Sequence, residues 1–347
     1  MTGAHSALID AWYRGAWWLW LLRPLEWLFR SVAAMRRLAY RTGMLAVYRA
    51  PVPVVVVGNI TVGGTGKTPV IIALCDALQV QGFRVGVVSR GYGARSGVFP
   101  HRVSEHSSPA DCGDEALLVL RRTGCTCVVD PDRSSAIQVL LAHDKRIDVI
   151  LSDDGLQHYG MARDFEIALL DARRRTGNGF CLPAGPLREP VSRLNGVDQV
   201  LLRGDSQVEF KEQAEGEAGR ERIVDGRHVA TVRYALGDCW ALADGAVLSL
   251  SPAALGQHVY AVAGIGQPEQ FFTQLQALGF VLERRPFADH HLFEAADFQA
   301  MGDLPILMTE KDAVKCAGLA GDRAYAVRLQ AQVPDALVSR LVRLLKH

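Results

Sequence analysis

The sequence predicts an α/β protein: a mostly parallel sheet with helices on both faces, a smaller C-terminal α/β lobe, and an amphipathic helical segment at the N-terminus. Three observations predict it. Short apolar, β-branched runs alternate with helix-compatible stretches from Val52 to Leu202, the pattern of parallel strands buried on both faces. A glycine-rich loop joins the first run to its helix. Tryptophan and arginine are concentrated in the first fifty residues.

That N-terminal stretch carries seven Arg against only Asp10 and Glu26, and holds Trp12, Trp17, Trp18, Trp20 and Trp27, five of the six tryptophans. Indole and guanidinium together suit a lipid headgroup zone. Arg23, Arg30 and Arg37 repeat at seven residues and share one helix face, while Trp18, Leu22, Leu25 and Phe29 lie on another. The uncharged, Trp- and Leu-rich run Gly15 to Leu22 is far short of the ~20 residues that cross a bilayer. Residues 1–50 are therefore expected to lie on a membrane, with Pro24 dividing them into two helical pieces. The alternative is a terminal helix that packs its tryptophans on the domain.

Val52 to Val57 reads as a strand, Gly58-Asn-Ile-Thr-Val-Gly-Gly-Thr-Gly-Lys-Thr68 as its loop, and Pro69 to Leu78 as the helix that follows. Backbone N–H groups from Gly63, Gly64, Thr65 and Gly66 and a helix N-terminus suit nucleotide phosphates. Lys67 supplies a point charge, and the Thr68 hydroxyl suits Mg²⁺. This predicts a P-loop NTPase-like core over 51–205. Thr61 stands where the strict motif has its first glycine, and Val62 where partitioning-type ATPases carry a signature lysine.

Further strands are expected at Arg84–Ser89, Thr126–Val129, Ile147–Leu151, Phe165–Leu170 and Gln199–Leu202, with helices at Glu115–Arg122 and Ser134–His143. One strand runs into Asp153-Asp154-Gly155, an acidic strand end that suits Mg²⁺ and phosphate or, alternatively, a plain turn. Asp114-Glu115 opens a helix, where carboxylates also serve as caps. Gly177 to Pro190, with Arg188 and Glu189, is too rich in Gly and Pro for a regular element.

Residues 206–250 read as a polar linker and a hairpin at Asp244-Gly245, and 251–347 as the second lobe. That lobe carries a strand at Val259–Ala263, a helix at Pro268–Leu278, Asp289-His290-His291, and Thr309-Glu310-Lys311-Asp312, read as a helix-start turn. The net charge of +1 argues against a nucleic-acid partner. Seven cysteines without paired spacing fit neither a disulfide framework nor a zinc site, which points to a reducing, cytosolic setting.

The order of motifs, from Gly58-Asn59 and Gly-Gly-Thr-Gly-Lys-Thr-Pro69 through Ser89-Arg-Gly-Tyr-Gly93, Gly113-Asp-Glu115, Asp153-Asp-Gly-Leu-Gln-His158 and Leu182-Pro-Ala-Gly-Pro-Leu-Arg-Glu-Pro190 to Asp289-His290 and Thr309-Glu-Lys-Asp312, resembles the tetraacyldisaccharide 4′-kinases of lipid A synthesis. The resemblance implies ATP and Mg²⁺ as cofactors, and an acylated disaccharide 1-phosphate lipid as acceptor. It also implies a peripheral place on the cytoplasmic face of the inner membrane. It assigns Lys67 and Thr68 to phosphate and metal, and Asp153, Asp154 and Glu189 to metal and transferring phosphoryl group. Asp114 is implied as general base with His290 as its partner, and Arg90, Glu115 and Arg188 as substrate-side groups. A membrane-associated partitioning-type ATPase is the alternative.

Overall fold

The computed structural model describes residues 2–95, 97–204, 222–224, 227–289, 291–316 and 318–346. The chain opens with α1 (Thr2–Arg14), a 3₁₀ turn (Trp17–Leu22) and α2 (Arg23–Arg41), with Pro24 in the first turn of α2, where its missing N–H costs nothing. The first core follows: β1 (Val54–Gly58), α3 (Lys67–Val80), β2 (Val85–Ser89), β3 (His101–Arg102), α4 (Pro109–Cys112) and α5 (Asp114–Thr123). It continues with β4 (Thr126–Val129), α6 (Arg133–His143), β5 (Val149–Asp153), β6 (Phe165–Asp171) and β7 (Gln199–Gly204). Then come β8 (Arg222–Val224), β9 (Arg227–Ala241), β10 (Val247–Leu248) and α7 (Pro252–Leu255). The second lobe holds β11 (His258–Ala263), α8 (Pro268–Ala277), β12 (Val281–Pro286), α9 (Ala295–Gln299), β13 (Ile306–Thr309), α10 (Glu310–Ala313) and β14 (Ala324–Gln332), and the chain ends in α11 (Asp335–Lys346).

Among the described residues all strands join one sheet, ordered β12-β11-β13-β14-β9-β7-β6-β1-β5-β2-β4-β3, with β8 and β10 paired to β9. From β7 to β4 the pairing is parallel, in keeping with the largely apolar runs. Side chains alternate along β1. Val55 and Val57 face a core shared with α3 and α5, and Val54 and Val56 face the core under α6. The second lobe is likewise covered on both faces, by Phe271, Phe272 and Leu275 of α8 on one side and Phe298 and Ala313 on the other. Leu337 and Leu341 of α11 return to the first core.

β9 joins the two halves. Val229 to Arg233 pair in parallel with β7, and Arg233 to Ala241 pair antiparallel with β14. The hairpin expected at Asp244-Gly245 is present, with Gly245 at φ 74° between β9 and β10. The polar residues 205–221 and 225–226, and with them part of the expected linker, lie outside the described residues.

In the N-terminal segment some side chains are docked on the protein and others are exposed. Trp12 is buried and donates from Nε1 to the Pro183 carbonyl at 3.0 Å, Leu19 is buried, and buried Glu26 accepts from the Cys181 N–H at 3.2 Å. Trp17, Trp20, Leu21, Leu25, Trp27, Leu28, Val32 and Met35 are exposed. No helix of the described residues is long and apolar enough to cross a membrane.

Candidate active site

The carboxyl end of β1 leads into the glycine loop. Asn59 folds it by donating from Nδ2 to the Gly63 carbonyl at 3.4 Å, and Gly66, at φ 80°, turns the chain into α3 at Lys67. The segment 177–190 is strapped alongside: Val62 N–H donates to the Pro186 carbonyl and Arg188 N–H to that of Ile60. This strap carries Arg188 to Asp154.

Asp154 follows β5 at φ 49°, an unusual conformation for a non-glycine residue, and its carboxylate sits between two cations. Lys67 Nζ lies 3.4 Å from Oδ1 and Arg188 Nη1 2.8 Å from Oδ2. Burial pushes the Asp154 pKa up, but Lys67 and Arg188 outweigh it and hold the group below the ordinary carboxylate value. Its neighbour Asp153 behaves oppositely. Burial, then the charge of Glu115, push it up to about 7 against the pull of Lys67. Asp153 Oδ1 is buried with no hydrogen-bond partner among the described residues. Asp153 and the buried Thr68 are both oxygen donors of the kind hard cations prefer.

Asp114 starts α5 beside the Ser89-to-Gly93 loop. Gly113, at φ 83°, packs so closely there that a Cβ would stand 2.4 Å from the Tyr92 carbonyl oxygen. Asp114 is buried, and its Oδ2 lies 4.0 Å from Lys311 Nζ and 3.8 Å from Lys315 Nζ. Lys311 also reaches Glu115 at 3.2 Å and Asp289 at 3.6 Å. Burial opposes its charge, but Glu115, Asp114 and Asp289 hold the Lys311 pKa above the ordinary lysine value. Thr309 caps α10, as the helix-start reading expects, its Oγ1 accepting from the Asp312 N–H at 3.2 Å and donating to Asp312 Oδ2 at 2.7 Å. Arg122 clamps Glu310 through both oxygens at 2.7 Å, tying α5 to the second lobe. Gly64 to Pro69, Glu115, Asp289 and Lys311 line one cleft between the lobes.

Arg90 is exposed at the carboxyl end of β2, close enough for its charge to act on Arg133. His290 lies outside the described residues; its neighbour Asp289 is in the Lys311 cluster. Glu189, an expected metal ligand, meets protein partners in the structure. Its oxygens are taken by Tyr159 Oη, by Gln157 Nε2 at 2.9 Å and by Arg193 Nε at 3.7 Å. On the strap, Arg188 meets Asp154 while Glu189 meets Tyr159 and Gln157.

Sequence reasoning missed Arg133. Its buried guanidinium donates to the carbonyls of Asp130 at 2.8 Å and Asp153 at 3.1 Å, and burial lowers its pKa to about 10 against the pull of Asp153 and Asp154. The available signal was Asp130-Pro-Asp-Arg133 at the carboxyl end of a parallel strand, where site residues gather. Lys311 lies in the Thr309-to-Asp312 motif, and its partners on α5 are remote in sequence.

A glycine loop whose lysine meets an acidic strand end, facing a carboxylate cluster supplied by both lobes, defines a P-loop phosphotransferase. Comparison with known proteins narrows this. A family model described as tetraacyldisaccharide-1-P 4′-kinase (LpxK) matches residues 18–346. The chain is 48% identical over 338 residues to the tetraacyldisaccharide 4′-kinase of Ectopseudomonas mendocina (strain ymp), covering 97% of this chain and 96% of that protein. The corresponding Pseudomonas syringae pv. tomato kinase is 47% identical, with 95% of each chain covered. A crystal structure of LpxK from Aquifex aeolicus in complex with ATP superimposes with a TM-score of 0.74 at 28% identity, over 94% of this chain and 99% of that one. The chain belongs to the tetraacyldisaccharide 4′-kinase family. It is a kinase, and the partitioning-type ATPase alternative is set aside.

Proposed function

We propose that the protein transfers the γ-phosphoryl group of ATP to the 4′-hydroxyl of a tetraacyldisaccharide 1-phosphate in lipid A synthesis, giving lipid IVA. The observation that carries this reading is the shared cleft: the glycine loop of the first core and the Glu115, Asp289 and Lys311 cluster line it together. A donor phosphate on the loop and an acceptor hydroxyl near Asp114 then fall within one enclosure.

In this reading the loop N–H groups and Lys67 hold the β- and γ-phosphates, and Asp154 keeps Lys67 and Arg188 in place. Thr68 and Asp153 fit a magnesium ion. No cluster of three or more His, Cys, Asp or Glu forms a protein-only metal cage among the described residues. Mg²⁺ bound chiefly by phosphate oxygens and water asks for one or two side chains, and when bound it neutralises phosphate charge. Asp114 accepts the proton of the 4′-hydroxyl, with His290 as its partner. The bond from that oxygen to the γ-phosphorus forms, the bond to the β,γ-bridging oxygen breaks, and ADP leaves.

The acceptor's acyl chains need a membrane, and the N-terminus offers a surface for one. Leu25, Leu28, Val32 and Met35 of α2 recur at intervals of three and four residues, so they form one exposed apolar stripe flanked by arginines, with exposed Leu21 in the turn before it. We place the protein peripherally on the cytoplasmic face of the inner membrane. The test is incubation of the pure protein with labelled ATP, Mg²⁺ and the tetraacyldisaccharide 1-phosphate in detergent. Label in a bisphosphorylated lipid is expected; its absence would sink the proposal.

A further inference from the structure

β9 passes from one half of the sheet to the other at Arg233, which pairs with Gly204 of β7 and with Gln332 of β14. The next residue, Tyr234, reaches back into the first core, and its hydroxyl donates to the Gly66 carbonyl at 2.8 Å. Its ring packs on the core and lies flush against Gly66, where an added Cβ would stand 3.1 Å from Oη and 3.2 Å from Cε1 and Cζ. Gly66 is therefore glycine for two reasons, its φ of 80° and the tyrosine beneath it.

The consequence follows from peptide geometry. The Gly66–Lys67 bond is trans, and a planar trans peptide sets its carbonyl oxygen and its N–H on opposite sides. A hydroxyl that holds the Gly66 carbonyl therefore fixes the direction of the Lys67 N–H, one of the unsatisfied donors at the start of α3. The tyrosine is held in turn. Arg203 of β7 stacks its guanidinium 4.9 Å over the ring and bonds to Gln270 of α8, which bonds Gln267 at 2.5 Å. Gln267 and Gln270 line the same cleft as the glycine loop.

We propose that Tyr234 is a positioning residue for the phosphoryl donor: its hydroxyl orients the Gly66–Lys67 peptide toward the phosphates, and its place at the strand crossover ties that peptide to the second lobe. The proposal rests on the reading of Gly63 to Thr68 as the ATP phosphate site. Tyr234→Phe keeps the ring and removes only the hydroxyl.

The test is steady-state kinetics of Tyr234→Phe with each substrate varied, together with thermal melts and calorimetric titration with a non-hydrolysable ATP analogue. The KM for ATP and the analogue Kd should rise by about three- to tenfold, the factor matching one hydrogen bond of ordinary net strength. The KM for the lipid should stay at its unsubstituted value, and the Tm should fall by no more than about 2–4 °C, the cost of one hydrogen bond. An ATP KM within about twofold of the unsubstituted enzyme would overturn the proposal. So would a parallel rise in both KM values with a larger fall in Tm, which marks general loosening. Failure of the unsubstituted chain to bind the analogue would instead overturn the phosphate-site reading beneath it.

Discussion

Lys67 Nζ and Asp154 Oδ1 stand 3.4 Å apart across the glycine loop, with Arg188 on the other oxygen of the same carboxylate. Asp154 is thus the anchor of two cations. A lysine held this way is preorganised for phosphate, because its orientation is set before the nucleotide arrives.

Lys67→Ala should accordingly lower kcat by about 10²-fold or more, the scale for losing one preorganised charge donor. Asp154→Ala should also lower kcat, by releasing both cations. The double variant should lose less than the product of the two, since the residues touch. Rapid-quench measurement of the three proteins checks it, and near-normal kcat in Lys67→Ala would remove the loop from the chemistry.

Lys311 is the shared counter-charge of Asp114, Glu115 and Asp289, with its side chain 20% exposed. Removing it withdraws that counter-charge from three facing carboxylates, of which Asp114 keeps Lys315, at a cost on the order of 3 kcal/mol. Lys311→Met should lower the Tm by about 5 °C or more, and added NaCl should recover part of that loss by screening. A Tm unchanged at low salt would show that the lobes do not depend on this cation.

Much of this was legible in the sequence, and the rest was not for identifiable reasons. Strands β1, β2, β4, β5, β6 and β7 are short, mostly apolar runs, so local pattern locates them. The second half of β9, Ala235-Leu-Gly-Asp-Cys-Trp-Ala241, has glycine and aspartate in its middle and is a strand only because β14 pairs with it. β12 is mostly exposed and carries Glu283, Arg284 and Arg285, as an edge strand does, so its apolar signal is faint. In the site, Lys67 and Thr68 belong to one local motif. The partners of Lys311 come from α5 and from Asp289, which only folding joins.

His158 gives a pH prediction. Burial, then the charge of Arg133, lower its pKa to about 4, and its side chain is 23% exposed. In the unfolded chain the imidazole titrates near ~6.5. As pH falls from about 6.5 toward 4 the unfolded chain takes up a proton that the folded chain refuses, so stability present above this window is lost within it. The loss from this residue should reach about 2 kcal/mol at pH 5. Melts between pH 7 and pH 5 should show a steeper decline for the unsubstituted protein than for His158→Gln, and equal slopes would contradict the assignment.

The N-terminal segment is best tested at its surface rather than by deletion, because Trp12, Leu19 and Glu26 are docked on the strap. Leu21→Gln, Leu28→Gln and Met35→Gln combined change only exposed side chains. The triple variant should keep its Tm, lose most of its co-sedimentation with anionic vesicles, and show a raised KM for the lipid but not for ATP. Undiminished vesicle binding would refute the membrane-facing role of the stripe.

The acceptor side offers the sharpest test of mechanism. A sugar hydroxyl is a poor nucleophile, and Asp114 is proposed to take its proton. Asp114 Oδ2 lies near Lys311 and Lys315, and Asp289, next to His290 in sequence, shares Lys311 with it. Asp114→Ala should lower kcat by roughly 10²-fold or more, the usual scale for losing a general base. His290→Ala should be milder and add little on top of Asp114→Ala, because a histidine that acts through the aspartate has nothing left to act on. The pair should also give the pH–rate curve of the unsubstituted enzyme an acidic limb that belongs to both residues together and disappears in Asp114→Ala. Values of kcat for the two single variants and the double variant decide the matter. Fully multiplicative losses would mean that the two residues act independently, and the dyad would have to be abandoned.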